Sequence, residues 1–377
     1  MKVLLLSAYD AESHQHWRKV LVKELPNFEW TVLTLPGRYF SWRIRGNSLS
    51  WAFDKREVLE QPYDLIIATS MTDLSALRGF VPSLATTPAI LYFHENQFVY
   101  PTSGKEFKSV EPCILNLYGA VSADKVLFNS RFNQDSFLQG CKTLLDKLPD
   151  QVPKGVIEHL KNKSSVLSVP LSDDCFTHTL DNQVCWQQCD QAEDRPVHIV
   201  WAARWEYDKG PDRLLAILEV LERSGTDYRI SILGQKFRGT PETFATIGAT
   251  YSHRIDQFGY AESRGEYLSW LKSADIFLST ATHEFQGLSV LEAVALGCIP
   301  VLPERQVYPD LFAEEYLYPD CGENCSLEAE KAVDMIQKQW NALQSGVAVL
   351  PNVDHFQSEQ LIPQYEHVIS AVIQKGR

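Results

Sequence analysis

Neither a Gly-x-Gly-x-x-Gly fingerprint nor a Walker pattern occurs anywhere in these 377 residues, which argues against a dehydrogenase turn or a P-loop. No apolar run approaches the ~20 residues that span a bilayer. The start, Met1 to Asp10, turns acidic too early for a secretory leader and is expected to be a first strand. The eight cysteines follow no framework-like spacing, so reduced thiols are expected. Cys185 and Cys189 offer at most half a metal site, with no His or Cys pair beside them. Basic residues are the minority, 35 against 48 acidic, for a net charge of −13. That balance excludes a surface coated for non-specific nucleic-acid binding, though not a local basic patch. A cytoplasmic protein with no metal and no membrane partner is expected.

What is present is ordinary globular composition, 45% hydrophobic and 22% charged, in a chain long enough for two domains. Short apolar runs at 3–6, 31–35, 64–68, 89–93 and 125–128 each end in a polar turn, the pattern of parallel strands alternating with helices. Periodicity lapses where prolines and polar residues gather between Pro170 and Pro196. The expected organisation is an α/β chain with a first domain over 1–170 and a linker over 171–195. A second domain follows over 196–355, and a final helix over 356–377 crosses back to the first.

Three turns of the first half carry unusual residues. After the first strand, Ser13 is expected to cap a helix with His14 and His16 in its first turn. Surface histidines on a capped helix would look the same. After the second strand, Gly37-Arg38-Tyr39-Phe40-Ser41-Trp42-Arg43-Ile44-Arg45-Gly46 reads as a loop alternating basic and aromatic residues. Arginines on phosphates and aromatic faces on bases suit single-stranded nucleic acid; core aromatics with solvated arginines would also fit. After 89–93 comes His94-Glu95-Asn96-Gln97-Phe98. It opens like a zinc-protease helix, but Phe98 stands where the second histidine belongs. A satisfied core histidine is the plainer alternative for His94.

In the second half, a strand over 197–203 runs into Arg204-Trp205-Glu206-Tyr207-Asp208-Lys209-Gly210-Pro211. Arg204 and Lys209, at a strand end and a helix start, can neutralise a diphosphate leaving group. Another strand ends at Gly234, and Tyr260 precedes the capping box Ser263-x-x-Glu266. The decisive stretch is His283-Glu284-Phe285-Gln286-Gly287-Leu288-Ser289-Val290-Leu291-Glu292-Ala293, between a short strand and a helix. Gly287 lets backbone approach a ligand as the helix opens at Leu288 and Ser289, where free N–H groups and the dipole favour a phosphate. Glu284 can then face a sugar while Glu292 accepts hydrogen bonds from a ribose diol. A solvated loop acid and an unremarked helix glutamate would give the same letters.

That stretch resembles the Glu-x7-Glu signature of retaining GT-B glycosyltransferases, the GT4-like family, although Gln286 stands where the family usually has phenylalanine. The resemblance implies two Rossmann-like domains facing across a cleft. It places a nucleotide-sugar diphosphate on Arg204, Lys209 and the helix start at Gly287, Leu288 and Ser289, and ribose on Glu292. Sugar hydroxyls fall to Glu284 and His94, and the base to the turn at Tyr260, with Gly234 also on the donor side. Front-face transfer without metal or other cofactor is implied. Residues 35–43 together with 92–97 are similar to a narrower group, the tRNA-queuosine α-mannosyltransferases. That similarity implies a GDP-mannose donor and queuosine-containing aspartate tRNA as acceptor. Ser13, His14, His16, Arg38, Tyr39, Trp42, Arg43, Arg45, Asn96 and Gln97 would be on the acceptor side. A GT4-like enzyme with another donor and a small-molecule, lipid or glycan acceptor is the first alternative; a silent nucleotide-sugar or tRNA-binding module is the second.

Overall fold

Strands buried on both faces read as unbroken apolar runs, and the first of them, β1 (Lys2–Asp10), has Val3, Leu4, Leu5 and Leu6 without exposed surface. The computed structural model describes residues 1–100, 109–177, 195–237 and 239–376. Most of the expected linker, with Cys185 and Cys189, lies outside the described residues. The chain divides into two compact units: Met1–Pro170 with Phe356–Arg377, and Leu171–His355.

The first unit is a six-stranded parallel sheet. It adds β2 (Glu29–Pro36), β3 (Leu65–Thr69), β4 (Ala89–Phe93), β5 (Lys125–Phe128) and β6 (Ser164–Val166) in the order β2-β1-β3-β4-β5-β6. The order reverses direction beside β1, so the carboxyl ends of β1 and β3 border the switch point where such sheets bind ligands. The final helix, Ser358–Lys375, belongs to this unit through buried polar contacts. The Tyr365 hydroxyl accepts from the Trp17 indole at 3.1 Å and donates to the Ser168 carbonyl at 2.9 Å.

Two local expectations are corrected. The first helix, Glu12–Glu24, starts before Ser13; Ala11 is its N-cap and no side chain caps it. Its buried face is formed by His14, Trp17 and Leu21. The stretch from Phe40 is not a loop but the helix Phe40–Asp54. Ile44, Ser48, Trp51 and Ala52 recur on its buried face, and this packing outweighs the weak helix propensity of its glycine, serines and aromatics.

The second unit repeats the plan with β7 (Val197–Ala202), β8 (Tyr228–Leu233), β9 (Ile255–Gly259), β10 (Ile276–Leu278), β11 (Ile299–Pro303) and β12 (Leu317–Tyr318). All pairs are parallel, in the order β12-β11-β10-β7-β8-β9. Because β10 lies beside β7, the turns after these strands become neighbours although far apart in sequence. Gly210 makes the contact possible. At φ +67° it sits in the left-handed region, and a Cβ there would lie 2.0 Å from the Thr280 carbonyl oxygen.

Gly210→Ala is therefore expected to cost more than the ~1–2 kcal/mol of a left-handed alanine, because backbone must also move. Thermal denaturation tests this, and an unchanged melting temperature would contradict the close approach.

Candidate functional site

The two turns of the second unit are tied backbone to backbone before any side-chain charge is considered. Thr280 Oγ1 donates to the Lys209 carbonyl at 2.8 Å, and the Thr282 N–H and hydroxyl donate to the Asp208 carbonyl at 2.9 and 3.0 Å. Lys209 Nζ thereby reaches Glu284 Oε2 at 3.1 Å, the His283 carbonyl at 3.1 Å and Asp208 Oδ2 at 3.3 Å. The lysine side chain keeps 11% of its surface exposed and Glu284 23%. Burial by itself would lower the lysine pKa, but the charges of Glu284 and Asp208 carry it above its ordinary value. Burial would raise Glu284; the Lys209 charge, its hydrogen bond and the Phe285 N–H at 3.0 Å bring it below the usual carboxylate range. Both groups are charged at neutral pH. His283, beside them, is held near 4 by burial and by the Lys209 charge, so it is neutral.

Gly287 is the N-cap of the helix Leu288–Ala295 and is left-handed at φ 73°, which turns the chain directly from Glu284 into the helix. A small pocket opens at this junction, lined among others by Lys209, Glu284, Ser289, Ala203 and Tyr308. It joins an ammonium to a helix N-terminus, a combination suited to phosphate oxygens. One and a half turns into the helix, Glu292 is held twice: Arg264 meets Oε1 at 2.7 Å and the Tyr267 hydroxyl donates to Oε2 at 2.9 Å. Arg264 is also paired with Asp174 at 3.2 Å. Arg204 points its guanidinium to Glu206, at 2.7 Å, yet its charge still bears on Lys209. Gly234 is required by crowding, since a Cβ would lie 1.9 Å from the Ala203 carbonyl oxygen. Tyr260, after β9, is 62% exposed.

Sequence reasoning passed over Asp208, Tyr267, Arg264 and Tyr308. Arg264 and Tyr267 had a visible signal: they lie in the first turns after the Ser263 cap, three apart, and so share a helix face. Asp208 had none beyond adjacency to Lys209. Among the described residues no group of three or more His, Cys, Asp or Glu could hold a metal, and no helix is long and apolar enough to cross a membrane.

In the first unit, His94 follows β4 and is nearly fully buried, its ring 4.0 Å from that of His14 and 4.7 Å from Tyr92. Burial, then the charges of His14 and His16, hold its pKa well below the ordinary value, so its ring is neutral at physiological pH. His14 Nε2 lies 3.6 Å from Glu95, and the Ser13 hydroxyl 3.4 Å from His14 Nδ1. His16 Nε2 meets the Pro170 carbonyl at 2.7 Å. Asn96, expected on the acceptor side, is fully buried instead. Its amide donates to Asn133 Oδ1 and Ser136 Oγ at 2.9 Å and accepts from the Phe98 N–H at 3.0 Å, so its work is to hold the turn. The Gln97 backbone N–H is bound by Asn116 at 2.8 Å, while its side-chain amide points toward Met71. Tyr39 and Trp42 are 72% and 55% exposed, Arg38 is exposed and Arg43 half-buried. Arg45 is paired with Glu111 at 2.6 Å and with Asp73 at 3.7 Å.

Comparison with known proteins is consistent across both units. Residues 2–171 match the family described as tRNA-queuosine alpha-mannosyltransferase N-terminal, and residues 187–340 match glycosyl transferases group 1. The tRNA-queuosine alpha-mannosyltransferase of Drosophila melanogaster is 30% identical over 370 residues, covering 96% of this chain and 95% of that protein. Among solved structures, Anabaena HepE in complex with UDP has a TM-score of 0.68 at 15% identity, over 98% of this chain and all of the other. Sucrose-phosphate synthase from Thermosynechococcus elongatus gives 0.70 at 13% identity, over 98% of this chain. These likenesses establish the GT-B fold.

Lys209→Met would leave the Glu284 carboxylate buried without its cation, at a cost of about 3–5 kcal/mol. Glu284 is depressed in the folded protein, so its stabilising contribution is present above the unfolded pKa and is lost as pH falls through the folded value. The gap in melting temperature between wild type and Lys209→Met is expected to be wide at pH 7 and to narrow toward pH 4. A gap independent of pH would mean the pair is not coupled.

Proposed function

This chain belongs to the tRNA-queuosine α-mannosyltransferase family, and on that premise we propose that it moves mannose from GDP-mannose to the cyclopentene-diol of queuosine at the wobble position of aspartate tRNA. It is a glycosyltransferase of the GT-B class. The observation that carries the proposal is Lys209 held against Glu284 beside the open N-terminus of the helix Leu288–Ala295.

Sugar transfer from a nucleoside diphosphate needs stabilisation of the departing diphosphate, where negative charge grows as the glycosidic bond breaks. Lys209 and the N–H groups at Leu288 and Ser289 supply fixed positive potential there, with Arg204 as a second cation released from Glu206 to the phosphates. The built-in cation and the helix dipole serve the purpose a divalent metal serves in other transferases, so the proposal calls for none. Glu284, kept ionised, accepts hydrogen bonds from the sugar hydroxyls, and Glu292 from the ribose. Tyr260 and the backbone at Gly234 are assigned to the base. His94, held neutral, can donate a hydrogen bond from one ring nitrogen while leaving the other as acceptor, and we assign it to the sugar. No side chain is assigned as nucleophile; retention then follows from attack on the donor's front face, with the leaving phosphate taking the acceptor proton. Arg38, Tyr39, Trp42 and Arg43 are assigned to the tRNA, and the enzyme to the cytoplasm.

The solved neighbour HepE holds UDP, so the base is the element to test. GDP or GDP-mannose at one hundred times its dissociation constant is expected to stabilise the protein by about 2.7 kcal/mol without added metal, with UDP compounds giving much less. Selective stabilisation by UDP would overturn the mannosyl donor. Reversing charge with Arg38→Glu and Arg43→Glu is expected to abolish tRNA binding; retained binding would remove tRNA as acceptor.

A further inference from the structure

The helix Phe40–Asp54 contains a glycine at its centre, where glycine costs about 1 kcal/mol relative to alanine. The structure gives a reason. A Cβ on Gly46 would lie 2.3, 2.5 and 2.7 Å from Cε2, Cζ2 and Cδ2 of Trp42, three adjacent atoms of one ring. Near-equal distances to adjacent ring atoms mean that the indole lies face-down on the helix one turn ahead of its own Cα. Its other face is turned outward, and the residue keeps 55% of its surface exposed. A large aromatic is thus laid flat over the helix backbone and buries Gly46, whose missing Cβ makes room for it.

The support is rigid and the surroundings are basic. Asn47, fully buried, donates to the carbonyls of Arg43 at 2.8 Å and of Ile44 and Met71 at 3.1 Å, and accepts from the Asp73 N–H at 3.0 Å. Tyr39, just before the helix, is held in the left-handed region at φ 55°, unusual for a residue with a side chain, and is 72% exposed with Arg38 5.6 Å from its ring centroid. Arg45 is taken up by Glu111 and Asp73. Arg43, adjacent to Trp42, is half-buried, and its Nε is buried without a hydrogen-bond partner among the described residues. In a chain of net charge −13, two exposed aromatic rings beside Arg38 and Arg43 match a polyanion with π-faces.

We infer that Trp42, seated on Gly46, is a stacking platform for an unpaired nucleobase of the acceptor RNA, with Tyr39 as a second ring and Arg38 and Arg43 on the flanking phosphates. The inference rests on the tRNA reading above and adds the subsite that reads single-stranded character. Stacking on an aromatic accepts any base, so the platform selects an unpaired loop over a duplex, whatever its sequence.

Gly46→Ala tests this without removing a ring or a charge. The new methyl must push the indole off the helix, while helix propensity improves, so the melting temperature is expected to hold or rise. Binding to a queuosine-bearing anticodon stem-loop is expected to weaken about tenfold, the scale of one lost stack. Because no phosphate contact is lost, the slope of log affinity against log salt should stay unchanged, whereas Arg43→Ala should reduce it by about 1. Trp42→Phe should recover part of the affinity that Trp42→Ala loses. Unchanged stem-loop affinity in Gly46→Ala and Trp42→Ala would overturn the platform, as would a loss of self-association in these variants with RNA binding intact. Failure of the wild-type protein to bind the stem-loop at all would instead sink the tRNA reading itself.

Discussion

A lysine and a glutamate 75 residues apart, Lys209 and Glu284, form the contact on which the second unit's site depends. Neither charge is tolerable alone at that depth; each keeps the other ionised against the pull of burial. Their meeting follows from topology. The order β10-β7 puts two strand ends side by side, Gly210 lets the first turn approach the Thr280 carbonyl, and two threonines bind the turns together. The charge pair then needs no induced fit. Its ammonium already stands next to the helix that Gly287 opens.

The same economy of fixed geometry recurs around the other polar groups. Glu292 is gripped by Arg264 and Tyr267, leaving its remaining lone pairs as acceptors in a set direction. Asp174 holds Arg264 from the other side, so the guanidinium is shared between two carboxylates. In the first unit, His94 sits neutral among Trp17, Tyr92 and His14, and Asn96, Asn129 and Asn133 form a buried amide network under the turn that carries it. Fully satisfied networks of this kind make a loop behave like part of the sheet.

Much of the architecture could be read from residues alone because parallel strands are buried on both faces and announce themselves as short apolar runs. The strands at 89–93 and 125–128 match β4 and β5 end for end. The Glu-x7-Glu spacing likewise located the loop and helix that hold Glu284 and Glu292. What escaped was decided by tertiary packing. The residues from Phe40 onward lack a clean helical stripe, because Asn47 and Ser48 face inward where apolar residues were sought. Ser13 looked like a cap, yet the helix starts one residue earlier, at Glu12, with no side-chain cap. Asn96 carries the right chemistry for a ligand, but a partner far along the chain, Asn133, takes it up in a buried network. Such partners are invisible to local spacing.

The central claim is that the built-in cation and helix terminus serve mannosyl transfer to queuosine. Mass analysis of nucleosides from aspartate tRNA treated with the enzyme and GDP-mannose tests it most directly. Queuosine is expected to gain one hexose, with unmodified guanosine tRNA left untouched and the product carrying the α-anomer. A hexose appearing equally on tRNA that lacks queuosine, or no hexose on queuosine from GDP-mannose, would contradict the assignment.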